Sequence, residues 1–204
     1  GHFVLGILAI FMYVGIEVGI ANMSMQYISQ SDLGGLGLGA SIAGAIVGMY
    51  WLLMLVGRLL GGAVGSKISS RTMLTFVSAV AMVLVLLPSS IVVSAPGFEN
   101  AGGFHFTTQP VPVSVLLLIA CGLCTSVMWG AIFNLAVSGL GKYTQVASGL
   151  FMVMVCGGGI LPLIQASIAK GSSYLTSFWL IFALLAYLLF YAVAGSRAKG
   201  DTAE

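Results

Sequence analysis

Long apolar runs separated by short polar or glycine-rich stretches make up most of the chain. About 20 apolar residues in a helix cross the hydrocarbon core of a bilayer. Six runs are long enough for this: Phe3–Ile28, Gly39–Gly65, Thr72–Ser94, Val113–Leu140, Val146–Ile168 and Leu175–Gly195. The pattern therefore predicts an all-α membrane protein with six transmembrane helices in residues 1–195 and a polar tail at 196–204.

The composition excludes a water-soluble enzyme. Of the 204 residues, 59% are hydrophobic and 6% are charged, whereas soluble domains carry about 25% charged residues. The 28 glycines lie largely within the apolar runs, as closely packed membrane helices require. The sequence has no basic cluster that could bind nucleic acid, so the lipid bilayer is the predicted environment.

Basic residues are unevenly divided between the two sides of the predicted bundle. Six spans place both chain ends on the side that holds the loops after the second and fourth helices. The bases on that side are Lys67, Arg71, Lys142, Arg197 and Lys199. The opposite side has Lys170 as its single base, together with Asp32 and Glu99. The positive-inside rule therefore predicts cytoplasmic termini, with Ala95–Pro112 as the longest external loop.

Two motifs resemble chemical sites, and we interpret both as structural. Cys121 and Cys124 have the spacing of redox and zinc sites, but a second pair and a nearby histidine are absent from the sequence around them. Two small buried thiols are the simpler interpretation, so we predict no metal site. The glycine-rich run Gly34–Gly39 lacks the Lys-Ser/Thr of a phosphate loop. Paired acids and histidine clusters for catalysis are also missing, and we predict no enzyme activity and no cofactor.

Glu17 is the single carboxylate within a predicted span. An ionised acid at that depth costs a few kcal/mol if it is unpaired, so such residues are usually functional. At 100° per residue Tyr13 and Glu17 share one helix face, whereas Asn22 and Gln26 lie on nearly the opposite face. Only one of these two pairs can line a cavity beside a straight helix, whereas a break in the helix would let both pairs contribute. The alternative is a protonated, purely structural glutamic acid.

The fourth span contributes a second group of candidate ligands for a substrate. Thr125 and Trp129 share a face of the predicted helix, and Asn134 is rotated away from them. An aromatic ring next to amide groups suits a hydroxylated, uncharged ligand such as a sugar, because the ring stacks on C–H faces and the amides pair with hydroxyls. Core packing explains Trp129 equally well.

Glycines and a proline predict where the helices can move. Gly157, Gly158 and Gly159 precede Pro162 in the fifth span, and together they predict a hinge, because proline removes a backbone donor. Glycines four residues apart elsewhere fit either static packing or a sliding interface. Arg58 lies toward the predicted cytoplasmic end of the second span, where it would snorkel or pair with a carbonyl or an acid. We assign it to an inner gate.

Five segments of the chain carry a resemblance to a known family: Ala9–Gly19, Gly57–Gly62, Ile132–Thr144, Ala147–Gly149 and Gly157–Gln165. Together they resemble the C-terminal half of the fucose:proton symporter family of the major facilitator superfamily, which includes bacterial glucose/galactose transporters. The resemblance implies helices seven to twelve of a twelve-helix transporter, with the first and fourth spans lining a central sugar cavity. Glu17 matches a family position that holds Glu or Gln, which implies hydrogen bonding to sugar hydroxyls at least as strongly as proton coupling.

The resemblance also implies a function and a location. It predicts half of a sugar:proton symporter of the bacterial inner membrane, which takes a monosaccharide and uses a proton as its coupling ion. Because the family's proton-coupling acids lie mainly in the other half, and the chain begins at Gly1, we expect a missing N-terminal six-helix half or a second copy. The alternative is a stand-alone six-helix scaffold or partner subunit that transports nothing.

Overall fold

A computed structural model of the protein describes residues 2–65, 67–86, 92–100 and 104–196. Seven α-helices and two β-strands lie within these ranges. They are α1 (His2–Ser29), α2 (Ala40–Val64), α3 (Ser70–Leu86), β1 (Val92–Asn100), β2 (Phe104–Pro112), α4 (Val113–Val137), α5 (Thr144–Val153), α6 (Gly157–Gly171) and α7 (Phe178–Phe190). Single turns of 3-10 helix precede α5 and join it to α6, and a π-helical turn extends α7.

The helices have the length and composition of a multi-pass membrane protein. Five apolar segments in the described ranges are long enough to cross a bilayer, and α3 is a shorter apolar helix of 17 residues. The α5–α6 segment counts as one of the five, since its two helices follow one another directly. This arrangement confirms the predicted all-α class. Residues 197–204, most of the predicted tail, lie outside the described ranges.

The third span and the loop after it differ from the prediction. Helix α3 ends at Leu86, and β1 and β2 pair in the antiparallel direction, with Val92 opposite Pro112 and Asn100 opposite Phe104. The β-branched pair at Val92 and Val93 favours a strand over a helix. Proline is tolerated because each strand of a two-stranded sheet has an unpaired edge.

The fifth span also departs from a regular helix. A 3-10 turn, Met154–Cys156, separates α5 from α6 and immediately precedes the three glycines in which the sequence predicts a hinge. Pro162 lies inside α6, five residues after that helix begins. The irregular geometry therefore precedes the predicted hinge residues instead of coinciding with them.

Helix α1 lies at the centre of the bundle and packs against α2, α4, α6 and α7. Its aliphatic side chains Ile10, Ile16 and Ile20 are completely buried. In the most apolar stretch of α4, 61% of the residues are buried, whereas in that of the α5–α6 segment only 22% of the residues are buried. Helices α1 and α4 therefore form the core, and α5–α6 presents most of its apolar side chains to the outside.

A hydrogen-bonded contact joins the loops that follow α1 and α6. The Tyr174 hydroxyl donates to Oδ1 of Asp32 at 2.7 Å, and the Tyr174 N–H donates to the Leu33 carbonyl at 3.4 Å. This bond to the Asp32 carboxylate raises the pKa of the Tyr174 phenol, because ionisation would remove the proton that is shared. The contact fixes the end of α1 to the start of α7.

Replacing Tyr174 with Phe is expected to lower the free energy of unfolding by about 1 kcal/mol at neutral pH, the usual contribution of one such hydrogen bond. The folded-state pKa is raised, so the contribution is complete below the pKa of a free phenol, about 10. It is lost as the pH rises through the raised value. Thermal unfolding in detergent should show a difference at neutral pH that vanishes in strong alkali. Tyr143→Phe, at a side chain that is 61% exposed, should show no difference at either pH.

Candidate functional site

An ion pair joins the middle of α1 to the second half of α2. One guanidinium nitrogen of Arg58, Nη2, lies 3.4 Å from Oε1 of Glu17 and 3.4 Å from the sulfur of Met54. The Glu17 side chain is 13% exposed and that of Arg58 is 54% exposed. The sequence leaves open whether Arg58 snorkels or pairs, and the structure shows that it pairs with the acid of the first span.

Tyr50 of α2 reaches the same part of α1. Its hydroxyl donates to the backbone carbonyl of Glu17 at 3.2 Å and lies 3.1 Å from Oγ1 of Thr125 in α4. The Tyr50 side chain is completely buried, so its hydroxyl depends on these protein partners. Three helices therefore meet at one hydroxyl group directly beside the ion pair.

Aromatic rings of α1, α4 and α5 meet one helical turn before Glu17. The rings of Tyr13 and Trp129 meet edge to face with centroids 6.1 Å apart, and Trp129 meets Phe151 in the same way at 6.3 Å. Tyr13 is buried and Trp129 is half-buried. Within the described ranges the Tyr13 hydroxyl makes no hydrogen bond of normal geometry. These rings form an aromatic platform that begins one helical turn before the Glu17 carboxylate.

Three other residues predicted as substrate ligands lie away from this cluster. Helix α1 is unbroken from His2 to Ser29, so the break that would bring the two faces of the helix together is absent. Asn22 and Gln26 are exposed on a separate face from Glu17. Asn134, near the end of α4, is also exposed, and its amide donates to the hydroxyl of Ser70 at the start of α3.

The predicted hinge glycines allow α6 to pack closely on α1. A methyl group at Gly157 would collide with the backbone carbonyl of Phe11, and one at Gly158 would lie 2.8 Å from Cγ1 of Val14. At Gly159 nothing lies within 4 Å. Two of the three glycines therefore provide helix contact, and the third faces open space.

Comparison with solved structures identifies the fold. The E. coli fucose:proton symporter FucP superposes with a TM-score of 0.79 at 19% identity, over 97% of this chain and 43% of that one. FucP in an outward conformation gives a TM-score of 0.78 at 20% identity. A peptide transporter gives 0.73 at 14% identity, over 94% of this chain and 37% of that one.

The chain has the fold of the C-terminal half of a major facilitator transporter.

Sequence comparison agrees with this major facilitator fold. A glucose/galactose transporter of Brucella abortus is 31% identical over 197 residues, which are 97% of this chain and 43% of that protein. A putative glucose/galactose transporter of Helicobacter pylori is 32% identical over 206 residues, 98% of this chain and 45% of that protein. No protein-family profile matches. The chain spans less than half the length of these relatives. The resemblance found in the sequence is confirmed, and the relatives are named as transporters, not enzymes.

The sequence pattern does not single out two residues of this site, Tyr50 and Phe151. Tyr50 and Phe151 lie inside apolar runs that read as ordinary membrane helix. A tyrosine hydroxyl in such a run needs a buried partner, and that signal could have identified Tyr50. Phe151 carries no such signal, since its role follows from its contact with Trp129.

The three thiols lie in two different environments. Cys121 and Cys124 are buried and free, and Cys156 is exposed and free. Among the described residues, no group of three or more His, Cys, Asp or Glu side chains is close enough to hold a metal ion.

Proposed function

We propose that this chain is the C-terminal half of a sugar:proton symporter that works by alternating access between two six-helix bundles. The observation that supports this most strongly is the pairing of Glu17 with Arg58 beside the aromatic platform of Tyr13 and Trp129. It occurs in a half-bundle whose sequence relatives are named glucose/galactose transporters. Transporters of this type hold substrate near the membrane midplane between the two halves.

The chemistry of the cluster suits a monosaccharide. The ring of Trp129 would stack on the C–H face of a sugar, because a polarisable aromatic face packs well against such surfaces. The Glu17 carboxylate would accept hydrogen bonds from sugar hydroxyls, and the Arg58 guanidinium would donate them. Asn22 and Gln26 remain predicted ligands for a substrate that approaches along the second half of α1, and Asn134 remains one at the far end of α4.

Coupling to protons would use the same carboxylate. Glu17 is mostly buried and is held by one half-exposed cation. A proton added to its carboxylate oxygen would neutralise the acid and release Arg58 from the pair. The guanidinium, which stays charged, could then contact water, substrate or an acid of the other half. Protonation would thus remove an electrostatic contact between α1 and α2.

A second six-helix half would cover the exposed apolar side of this one. Large apolar side chains of α2 and α5–α6 point outward; examples are Leu55, Leu59 and Leu163. The relatives have more than twice the length of the matched segment. We propose that an N-terminal half packs here in the inner membrane of a bacterium. Lys67 and Lys142 follow α2 and α4 at one end of the bundle, which we propose to be cytoplasmic, with both termini.

The test is proton-driven sugar uptake by the full-length transporter with Glu17→Gln. Proton-driven accumulation of glucose, galactose or fucose is expected to fall about ten-fold or more, because a hydrogen bond to a charged group is replaced by a weaker one and the titratable group is lost. Exchange of labelled sugar without a proton gradient should persist. Gln145→Ala, at an exposed position of α5 that has no predicted role in binding, is the control. Full accumulation by the Glu17→Gln protein with unchanged sugar affinity would remove Glu17 from the mechanism, and absence of uptake by the wild type would refute the proposed function.

A further inference from the structure

The Tyr50 hydroxyl is placed where α1, α2 and α4 meet. It is completely buried, and its two partners are the carbonyl oxygen of Glu17 at 3.2 Å and the hydroxyl of Thr125 at 3.1 Å. The carbonyl belongs to the residue whose side chain pairs with Arg58. One hydroxyl group therefore holds the backbone at the position from which the acid extends.

The number of hydroxyl protons limits how Tyr50, Thr125 and the Glu17 carbonyl can be connected by hydrogen bonds. Tyr50 and Thr125 each have one hydroxyl proton. If Tyr50 donates to the Glu17 carbonyl, then Thr125 donates to Tyr50, and a continuous chain of hydrogen bonds joins α4, α2 and α1. If Tyr50 donates to Thr125, then Thr125 donates to its own helix, to a carbonyl of Cys121 or Gly122 at 3.2 Å. The first arrangement alone joins α1 to the other two helices.

Close packing of α2 on α4 brings these hydroxyls together. A methyl group at Gly122 would lie 2.5 Å from the Tyr50 carbonyl oxygen. The glycine therefore allows the backbones to approach within a distance that any other residue would prevent. Tyr50 and Thr125 are held side by side by this contact, one turn away from the Trp129 ring on the same helix as Thr125.

We infer that Tyr50, supported by Thr125, is a positioning residue that fixes the rotation of α1 so that the Glu17 carboxylate faces Arg58. This inference rests on the proposed function for its consequence in transport. Each residue of a helix turns the side-chain direction by 100°, so a small rotation of α1 would carry the carboxylate away from the guanidinium. A hydrogen bond to the Glu17 carbonyl resists that rotation at the residue whose side chain has to face Arg58.

The chain provides a matched control for the tyrosine. Tyr187 of α7 also donates its hydroxyl to a carbonyl of α1, that of Leu5, at 3.0 Å. The two bonds have the same chemistry and hold the same helix, but the Leu5 carbonyl lies three turns before Glu17. Tyr50→Phe and Tyr187→Phe remove the same atom, so a difference between them isolates the effect on Glu17.

A double-mutant cycle on stability tests the inference without using transport. Unfolding of the full-length protein in detergent is measured for Tyr50→Phe, Glu17→Gln and the double variant. Tyr50→Phe should change the unfolding equilibrium constant about three-fold more in the wild type than in the Glu17→Gln background, because residues in one network couple. Tyr187→Phe should have the same effect in both backgrounds. Equal effects of Tyr50→Phe in the two backgrounds would overturn the inference.

Uptake measurements then test the functional consequence. In the full-length transporter, Tyr50→Phe and Thr125→Val should raise the sugar KM about five-fold, as expected for the loss of one hydrogen bond, and shift the pH profile of uptake. Thr125→Ser keeps the hydroxyl and should match the wild type, as should Tyr187→Phe. If the wild type takes up no sugar, the proposed function fails while the stability cycle still decides the role of Tyr50. Uptake that is unchanged in KM and pH profile in Tyr50→Phe would overturn the inference.

Discussion

Replacing Gly157 with alanine is expected to destabilise the protein by about 1–3 kcal/mol, the usual cost of forcing an extra carbon into a filled core. The new methyl group would collide with the Phe11 carbonyl oxygen, and it would lie 2.8 Å from the carbon of that carbonyl. These are backbone atoms of the central helix α1, which cannot rotate away as a side chain would. The helices α1 and α6 must separate to make room, and the contacts along their whole interface weaken.

Gly159→Ala provides the control for this prediction. It lies two residues later in α6, and nothing lies within 4 Å of the position of its new methyl group. Alanine favours a helix over glycine by up to about 1 kcal/mol, so this variant should be as stable as the wild type or more stable. Thermal unfolding in detergent, together with the yield of folded protein, measures both variants. Equal melting temperatures for the two variants would show that α1 and α6 are not in this close contact.

Replacing Arg58 with Gln is expected to destabilise the protein by about 1–3 kcal/mol, because it leaves the Glu17 carboxylate at membrane depth without its cation. The reciprocal change, Glu17→Gln, should lower the free energy of unfolding by less than Arg58→Gln does. Glu17 is 13% exposed and cannot reach water easily, whereas Arg58 is 54% exposed and keeps contact with its surroundings through a long side chain. Removal of the base should therefore lower the stability more than removal of the acid, because the buried acid needs the exposed base as its partner.

Two measurements test that asymmetry. Adding Glu17→Gln to Arg58→Gln should restore much of the lost stability, since the double variant has no unpaired charge. Acidification that protonates Glu17 should reduce the deficit of the Arg58→Gln protein in the same way. Thermal unfolding in detergent across a pH series gives both results. A double variant that is less stable than Arg58→Gln alone would show that the ion pair does not govern the energetics of this site.

The positions of the helical segments follow from the apolar pattern, because a bilayer imposes a minimum length on each span, although the fifth segment is divided into α5 and α6. The end of the third span does not follow from it. The residues around Val92 and Val93 are apolar enough to continue a helix, and β-branched enough to form a strand. Their pairing with Val111 and Pro112 decides between the two, and a pairing between distant segments leaves no trace in local composition.

The site could be predicted in part. Glu17 is identifiable from the sequence as the acid within a span, and Tyr13 follows from the helical repeat. The partner of Glu17 could not be named, because Arg58 reaches it only through the packing of α2 on α1. Asn22 and Gln26 are polar residues in the same span, yet they face another side, since the helix does not break. Helix phase separates the two groups, whereas contact between helices brings Glu17 and Arg58 together.

The close contact between α1 and α6 also limits how the sequence can vary. Leu161 fills the space beside Gly15, where a methyl group would lie 2.7 Å from the Cβ atom of the leucine. One turn further along, Gln165 fills the space beside Gly19, with its amide oxygen 2.6 Å from the corresponding position. Each pair thus has a fixed total volume, and a larger residue on α1 requires a smaller one on α6. The residues at these paired positions should therefore covary among related sequences, because a change at one requires a compensating change at the other.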